Sequence, residues 1–267
     1  TCACWPKISP FESVLGSFGI AETKALAASQ KKTRVLYVTE SKGFRHGVLH
    51  ESEGILEELG EKNGFEVMIT QKAEKYITPE NVKNYDVIVF YTTGQELPLS
   101  DVQKKAFLDW IKSGKFFLGI HSATDTFYKW PEYGEMIGGY FDGHPWNQFQ
   151  APVIVEDRDH PITRHFPPTF TVLDEIYQIK DYSRDRVRVL MRMDPKQIDL
   201  QRKGVNRTDG DFAVAWVRNC GKGRVFYSTF GHREDAMDRP DIQKMYLEAV
   251  KWAMNLTQGD ATPRPLK

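Results

Sequence analysis

At 267 residues the chain can bury a substantial core in one domain or two. Its 40% apolar and 27% charged content is ordinary for a globular protein, and 36 basic residues balance 36 acidic ones. That zero net charge supplies no global field to draw in nucleic acid or anionic lipid, and no apolar run approaches the roughly 18 residues of a membrane span.

Residues 1–30 differ from the rest. Small residues gather at Ala25-Leu26-Ala27-Ala28-Ser29 ahead of Lys31-Lys32, a pattern shared by a disordered leader and by the remnant of an export segment. The compartment therefore stays open between exported (periplasmic) and cytoplasmic. Cys2, Cys4 and Cys220 are an odd set that does not read as a disulfide framework, and Cys2-Ala3-Cys4 is too isolated to make a metal site.

From residue 31 to 257 the pattern is that of a single α/β domain. Thr33–Thr39 is a short β-rich run, followed by the polar loop Ser41–His46. Val48–Gly60 carries apolar residues at helical spacing, with Gly60 as its expected stop. Phe65–Thr70 and Tyr85–Thr92 read as the next strands, the latter buried on both faces. Ser100 begins a helix with Asp101 in its first turn and Gly114 at its end. Phe116–Ile120 is a fourth strand that runs into the small-residue turn His121-Ser122-Ala123. Such a turn lifts one side chain above the end of a sheet, and here the lifted position is His121.

Strands alternating with helices imply a parallel sheet, with ligands at the carboxyl ends of its strands. Residues 126–212 break this rhythm and read as an elaboration packed over the active edge. Order returns with Phe212–Val217, with Gly223–Phe230 leading into Gly231-His232-Arg233-Glu234, and with a closing helix over Ile242–Met254. Residues 258–267 read as a loose tail.

Of seven histidines, His46, His121, His144 and His232 stand just after strand-ending or glycine-containing segments. Neutral imidazole binds divalent metals and titrates closest to neutral pH, so these residues suit either a metal site or an acid–base pair. Hydrogen-bonded structural roles remain the competing account for each. The loop Gly138–Pro145 either turns Asp142 and His144 towards a cavity or packs around Tyr140 and Phe141, and it lacks the Lys-Ser/Thr ending of a phosphate-binding loop, so no nucleotide is expected. Asp157, Asp159 and His160 read as a polar turn before Pro161. Glu175 lies in an apolar run; it either orients a histidine and moves protons or pairs with an arginine such as Arg188 as scaffolding. Trp130, Tyr133, Tyr140, Phe141 and Trp146 crowd one region, either as a loop core or as faces for sugar rings.

The segments GFRH (43–46), GIHSATD (119–125), GGYFDGHP (138–145), DHPIT (159–163), DEIY (174–177) and GRVFYSTFGH (223–232) together resemble the ThuA-like, or trehalose-utilisation, family over about Arg34 to Ala253. The resemblance implies a flavodoxin-like three-layer sandwich with a mainly parallel sheet, of the class I glutamine amidotransferase-like kind, and a role in carbohydrate metabolism. In amidotransferases the elbow holds a Cys nucleophile; His121 stands in its place here, so glutaminase chemistry is not expected.

The combined reading is a protein that hydrolyses or isomerises a disaccharide or keto-glycoside; a non-catalytic carbohydrate-binding or sensing module is the alternative. His121, His232, Glu175 and Glu234 are the catalytic candidates, with Glu234 orienting His232. His46, Asp142, His144, Trp130 and Trp146 are the candidates for binding substrate. His121, His144 and His232 are the candidate ligands of a divalent metal, zinc first. The expected partner is a carbohydrate, with a homo-oligomer left open and nucleic acid excluded.

Overall fold

The computed structural model describes Thr1 and residues 32–266. The expectations about the leader and the Cys2-Ala3-Cys4 pair lie outside the described residues. The chain divides into compact units at 1–32 and 33–267, and the second carries the elements below.

In chain order they are β1 (Thr33–Val38), α1 (Leu49–Asn63), β2 (Phe65–Thr70), α2 (Ala73–Tyr76), β3 (Val87–Tyr91), α3 (Asp101–Lys112), β4 (Phe116–Ile120), α4 (Pro131–Ile137) and β5 (Tyr140–Phe141). There follow β6 (Gln148–Val155), β7 (Thr169–Glu175), β8 (Ile179–Lys180), β9 (Arg188–Met193), β10 (Ala213–Cys220), β11 (Gly223–Ser228), α5 (Glu234–Met237) and α6 (Pro240–Ala253). The main sheet runs β2-β1-β3-β4-β11-β10-β9-β6-β7. Its first five strands are parallel. The rest pair antiparallel.

Side chains alternate across a strand, and here the alternation builds three layers. Val35 and Tyr37 of β1, with Val87 and Val89 of β3, pack with Leu49 and Leu56 of α1 and Ile242 and Met245 of α6. Leu36 and Val38, with Ile88 and Phe90, pack on the other face with Phe107 and Ile111 of α3 and Tyr133 of α4. Strands β3 and β4 are apolar along their whole length because both faces are covered. This is the flavodoxin-like α/β architecture expected from the sequence. Among the described residues no helix is long and apolar enough to cross a membrane.

Ser100 caps α3 through a reciprocal capping box with Gln103. Helix α1, in contrast, runs through Gly60 and stops at Gly64, which takes the left-handed conformation at φ 76°. Gly60 serves packing instead: a Cβ there would stand 2.8 Å from the carbonyl oxygen of Phe65. The segment 126–212 is no overlay on the active edge alone, since β6, β7 and β9 extend the main sheet itself. Nor is the stretch after 257 loose throughout. The Trp252 indole donates to the Gly259 carbonyl at 3.0 Å, and Arg188 donates to Asp260 at 2.8 Å.

Candidate functional site

Strand β4 ends at Ile120, and His121 follows at φ 53°, a left-handed conformation that a non-glycine residue adopts only under tertiary constraint. The expected elbow is therefore present. The turn is held by the Tyr227 hydroxyl, which donates to the His121 carbonyl at 2.8 Å. The ring is fully buried, and its Nδ1 stands 2.7 Å from the Thr229 carbonyl just beyond β11. A carbonyl can only accept, so Nδ1 carries the proton and Nε2 keeps its lone pair. That lone pair faces the Tyr177 hydroxyl at 2.7 Å and His232 Nδ1 at 3.3 Å.

His232 follows β11, the parallel neighbour of β4, so register brings the two imidazoles together. Its Nδ1 lies 3.2 Å from Glu175 Oε2. Its Nε2 lies 2.9 Å from the amide nitrogen of Gln148, whose oxygen is taken by Arg233 at 2.6 Å. Burial works against the charged form of His232, but the Glu175 carboxylate outweighs it and holds the pKa above the ordinary value.

The loop after β1 delivers His46, 5% exposed, edge-on to both other rings at centroid distances of 4.8 and 4.9 Å. Burial, helped by nearby His232, pushes its pKa down to about 4, and burial holds His121 well below its usual range. Both rings are therefore neutral near pH 7, the form that ligates metals. His46 Nδ1 is buried without a hydrogen-bond partner. One donor atom each from His46, His121 and His232 falls within a 4.8 Å span. The orphaned buried nitrogen of His46 and the unprotonated Nε2 of His121 suit a divalent ion, and His232 would join them as a third ligand on giving up the Nδ1 proton it directs at Glu175.

A cleft of about 370 Å³ opens over this cluster, lined by Phe44, His46, Ser122, Asp125, Phe141, His144, Glu175, Tyr177 and His232. The sequence candidates separate on this geometry. His46 joins the imidazole cluster in the place expected for His144. His144 sits at the rim instead, 41% exposed, with Nδ1 3.4 Å from Glu175 Oε1. Glu175 faces His121, His144 and His232 at once. The scaffolding alternative for Glu175 does not hold, because Arg188 pairs with Asp157 at 2.6 Å and with Asp260. Both nitrogens of His232 are met by Glu175, His121 and Gln148, so Glu175 fills the orienting place expected for Glu234.

Asp142, Trp130, Trp146 and Glu234 do not line the cleft. Asp142 braces the loop, its carbonyl accepting from Gln178 at 2.7 Å and its carboxylate from Asn206 at 2.9 Å. Trp130 packs edge-on against Phe127, and Trp146 edge-on against Phe212, so the loop-core account of these two aromatics is the one the packing matches. Phe44, Asp125 and Tyr177 line the cleft without having been singled out. All three lie inside the segments GFRH, GIHSATD and DEIY, and position within those segments was the available signal.

A mainly parallel sheet with helices on both faces and a histidine-bearing elbow at its carboxyl edge defines a flavodoxin-like α/β protein. The profile of the ThuA family, described as trehalose utilisation, matches residues 34–253, and the chain belongs to that family. Similar solved structures include a ThuA-like protein from Bacteroides uniformis, 25% identical with a TM-score of 0.72, covering 84% of this chain and 93% of that one. A ThuA-like protein from Parabacteroides merdae is 18% identical, with a TM-score of 0.67 and coverage of 88% and 98%. PurLQS from Thermotoga maritima is 17% identical, with a TM-score of 0.50 and coverage of 83% and 99%, a likeness of fold. No curated protein matches. The family description ties the chain to a carbohydrate-related role.

Proposed function

We propose that this protein hydrolyses or isomerises a small carbohydrate, a disaccharide or a keto-glycoside, in the cleft above His121. The observation that carries the reading is the convergence of His46, His121 and His232 on one point beside the buried carboxylate of Glu175. The three imidazoles would hold a divalent ion, zinc first by donor type, which when bound polarises a carbonyl or lowers the pKa of water.

In the metal-free alternative, Glu175 and His232 form the proton-moving pair, 3.2 Å apart. For isomerisation, Glu175 takes a proton from the carbon beside a carbonyl, and His232 returns one to the neighbouring carbon. For hydrolysis, Glu175 takes the proton of water and His232 gives one to the departing oxygen. Tyr177 and Gln148 orient the rings through His121 Nε2 and His232 Nε2. Glutaminase chemistry needs a thiolate at the elbow, and His121 cannot supply one.

The test is metal analysis of the purified protein beside a His121→Ala, His232→Ala double variant, combined with product analysis on trehalose and 3-keto-glycosides. The expected result is a bound divalent metal and turnover, both lost in the variant. Equal metal content would remove the metal, and sugar binding without turnover would replace the enzyme with a binding module.

A further inference from the structure

Phe44 is the outlier of the cleft. It is 68% exposed, whereas the other large aromatic residues along the same wall are buried or half-buried. Single exposed apolar residues are common and need no explanation, but this one is held in place over functional groups. Its ring meets His46 edge-on at 4.8 Å and lies within 10° of parallel to His232 at 6.3 Å.

The loop beneath it is fastened. Ser41 Oγ donates to the Phe44 carbonyl at 3.0 Å and accepts from the Gly43 amide at 3.1 Å. The Lys42 amide donates to the Gly94 carbonyl at 3.0 Å. A loop whose backbone is already fastened costs little further entropy when a ligand binds on it. Phe141 lines the same cleft, packed on Tyr177 at 4.4 Å.

Carboxylates line the same cleft. Asp125 accepts from the Tyr128 hydroxyl through Oδ1 at 2.6 Å, while its Oδ2 lies 3.7 and 3.9 Å from where a Cβ would sit on Gly94 and Gly43. Glu175 supplies a second acceptor. Among the described residues no lysine or arginine lines the cleft. Carboxylates accept from hydroxyl groups and repel phosphate or carboxylate ligands. An aromatic face with acceptors beside it matches the two sides of a pyranose, its C–H face and its hydroxyl edge.

Resting on the carbohydrate reading above, we propose that Phe44 is the platform on which an uncharged pyranose stacks, with Asp125 accepting from its hydroxyl groups. The site thereby selects neutral sugars over phosphorylated ones.

The experiment is calorimetric titration of the full chain as purified with trehalose, methyl α-glucopyranoside and glucose 6-phosphate, repeated on Phe44→Ala, Phe44→Trp and Asp125→Asn. Phe44→Ala should bind the neutral sugars about tenfold more weakly, the size of one aromatic contact, and Phe44→Trp should restore binding. Asp125→Asn should weaken them as well, and glucose 6-phosphate should bind more weakly than either neutral sugar. Thermal melts matching the wild type confirm that the exposed position leaves the fold intact. Unchanged affinity in Phe44→Ala, or tighter binding of the phosphate, overturns the platform while the carbohydrate reading stands. Absence of binding by all three sugars to the wild type overturns both.

Discussion

Asp174 holds His232 by its backbone: Oδ1 accepts from the His232 amide at 3.1 Å and Oδ2 from the Gly231 amide at 2.8 Å. The carboxylate is 0% exposed, and burial pushes its pKa up to about 6 against the pull of these amides. It also accepts from the Glu175 amide at 2.9 Å, so one side chain sets the position of both members of the proposed proton-moving pair. Asp174→Asn would turn an amide NH2 towards a backbone N–H. The expected cost is about 2 kcal/mol of stability and a roughly tenfold or larger loss of zinc affinity. Denaturant unfolding and a chelator competition titration measure the two effects.

His46 lies within the three-imidazole cluster and His144 at the rim of the cleft, and that difference is directly testable. His46→Ala should reduce zinc affinity by about a hundredfold or more, as loss of a direct ligand does. His144→Ala should leave zinc affinity within about twofold, because its ring lies at the rim beside Glu175, Phe141 and Tyr177, outside the three-imidazole cluster. Competition with a chromophoric chelator reads both. The reverse order would assign the metal to a different set of nitrogens.

His160 lies in the polar turn after Asp157, and burial takes its pKa down to about 4 despite the neighbouring Asp157 charge. Folded His160 therefore stays neutral while the unfolded chain takes up a proton near pH 6.5. The contribution to stability is complete above that value, falls as the pH drops, and is gone below about pH 4. His160→Gln removes the titration. Between pH 7 and 5 the wild type should lose more unfolding free energy than the variant, by up to roughly 2 kcal/mol. Urea midpoints at several pH values give the comparison.

The segment after α6 is fastened by Trp252 to Gly259 and by Arg188 to Asp260, and Ala261 is buried. A chain shortened after Leu256 should be less stable by about 1–3 kcal/mol, with the candidate site unaffected at low temperature. Thermal unfolding measures this loss, and an unchanged melting temperature would show that these bonds contribute nothing.

The parallel half of the sheet was legible because β1, β3, β4 and β11 are buried on both faces and read as continuous apolar runs. His121 was legible because small residues follow a strand end, a local pattern. The antiparallel half was less so. Strands β6 and β7 start with exposed and half-buried positions, and the chain around them is dense in loops. The stop of α1 was misplaced because Gly60 serves close packing against Phe65, a tertiary contact with no local mark. The greater depth of His46 than of His144 has the same origin. How deep a loop side chain reaches depends on what packs over it, which the loop's own residues do not determine.

The elements that meet at the cleft come from far apart in the chain: His46 after β1, His121 after β4, Glu175 at the end of β7 and His232 after β11. An ion seated among them would act as a clasp closed only in the finished molecule, since no shorter stretch of chain assembles the set. Folding and metal capture would then be a single linked equilibrium, and free zinc at about a hundred times its dissociation constant would add about 2.7 kcal/mol to the resistance to unfolding. The melting temperature would thus report the zinc concentration of the surroundings.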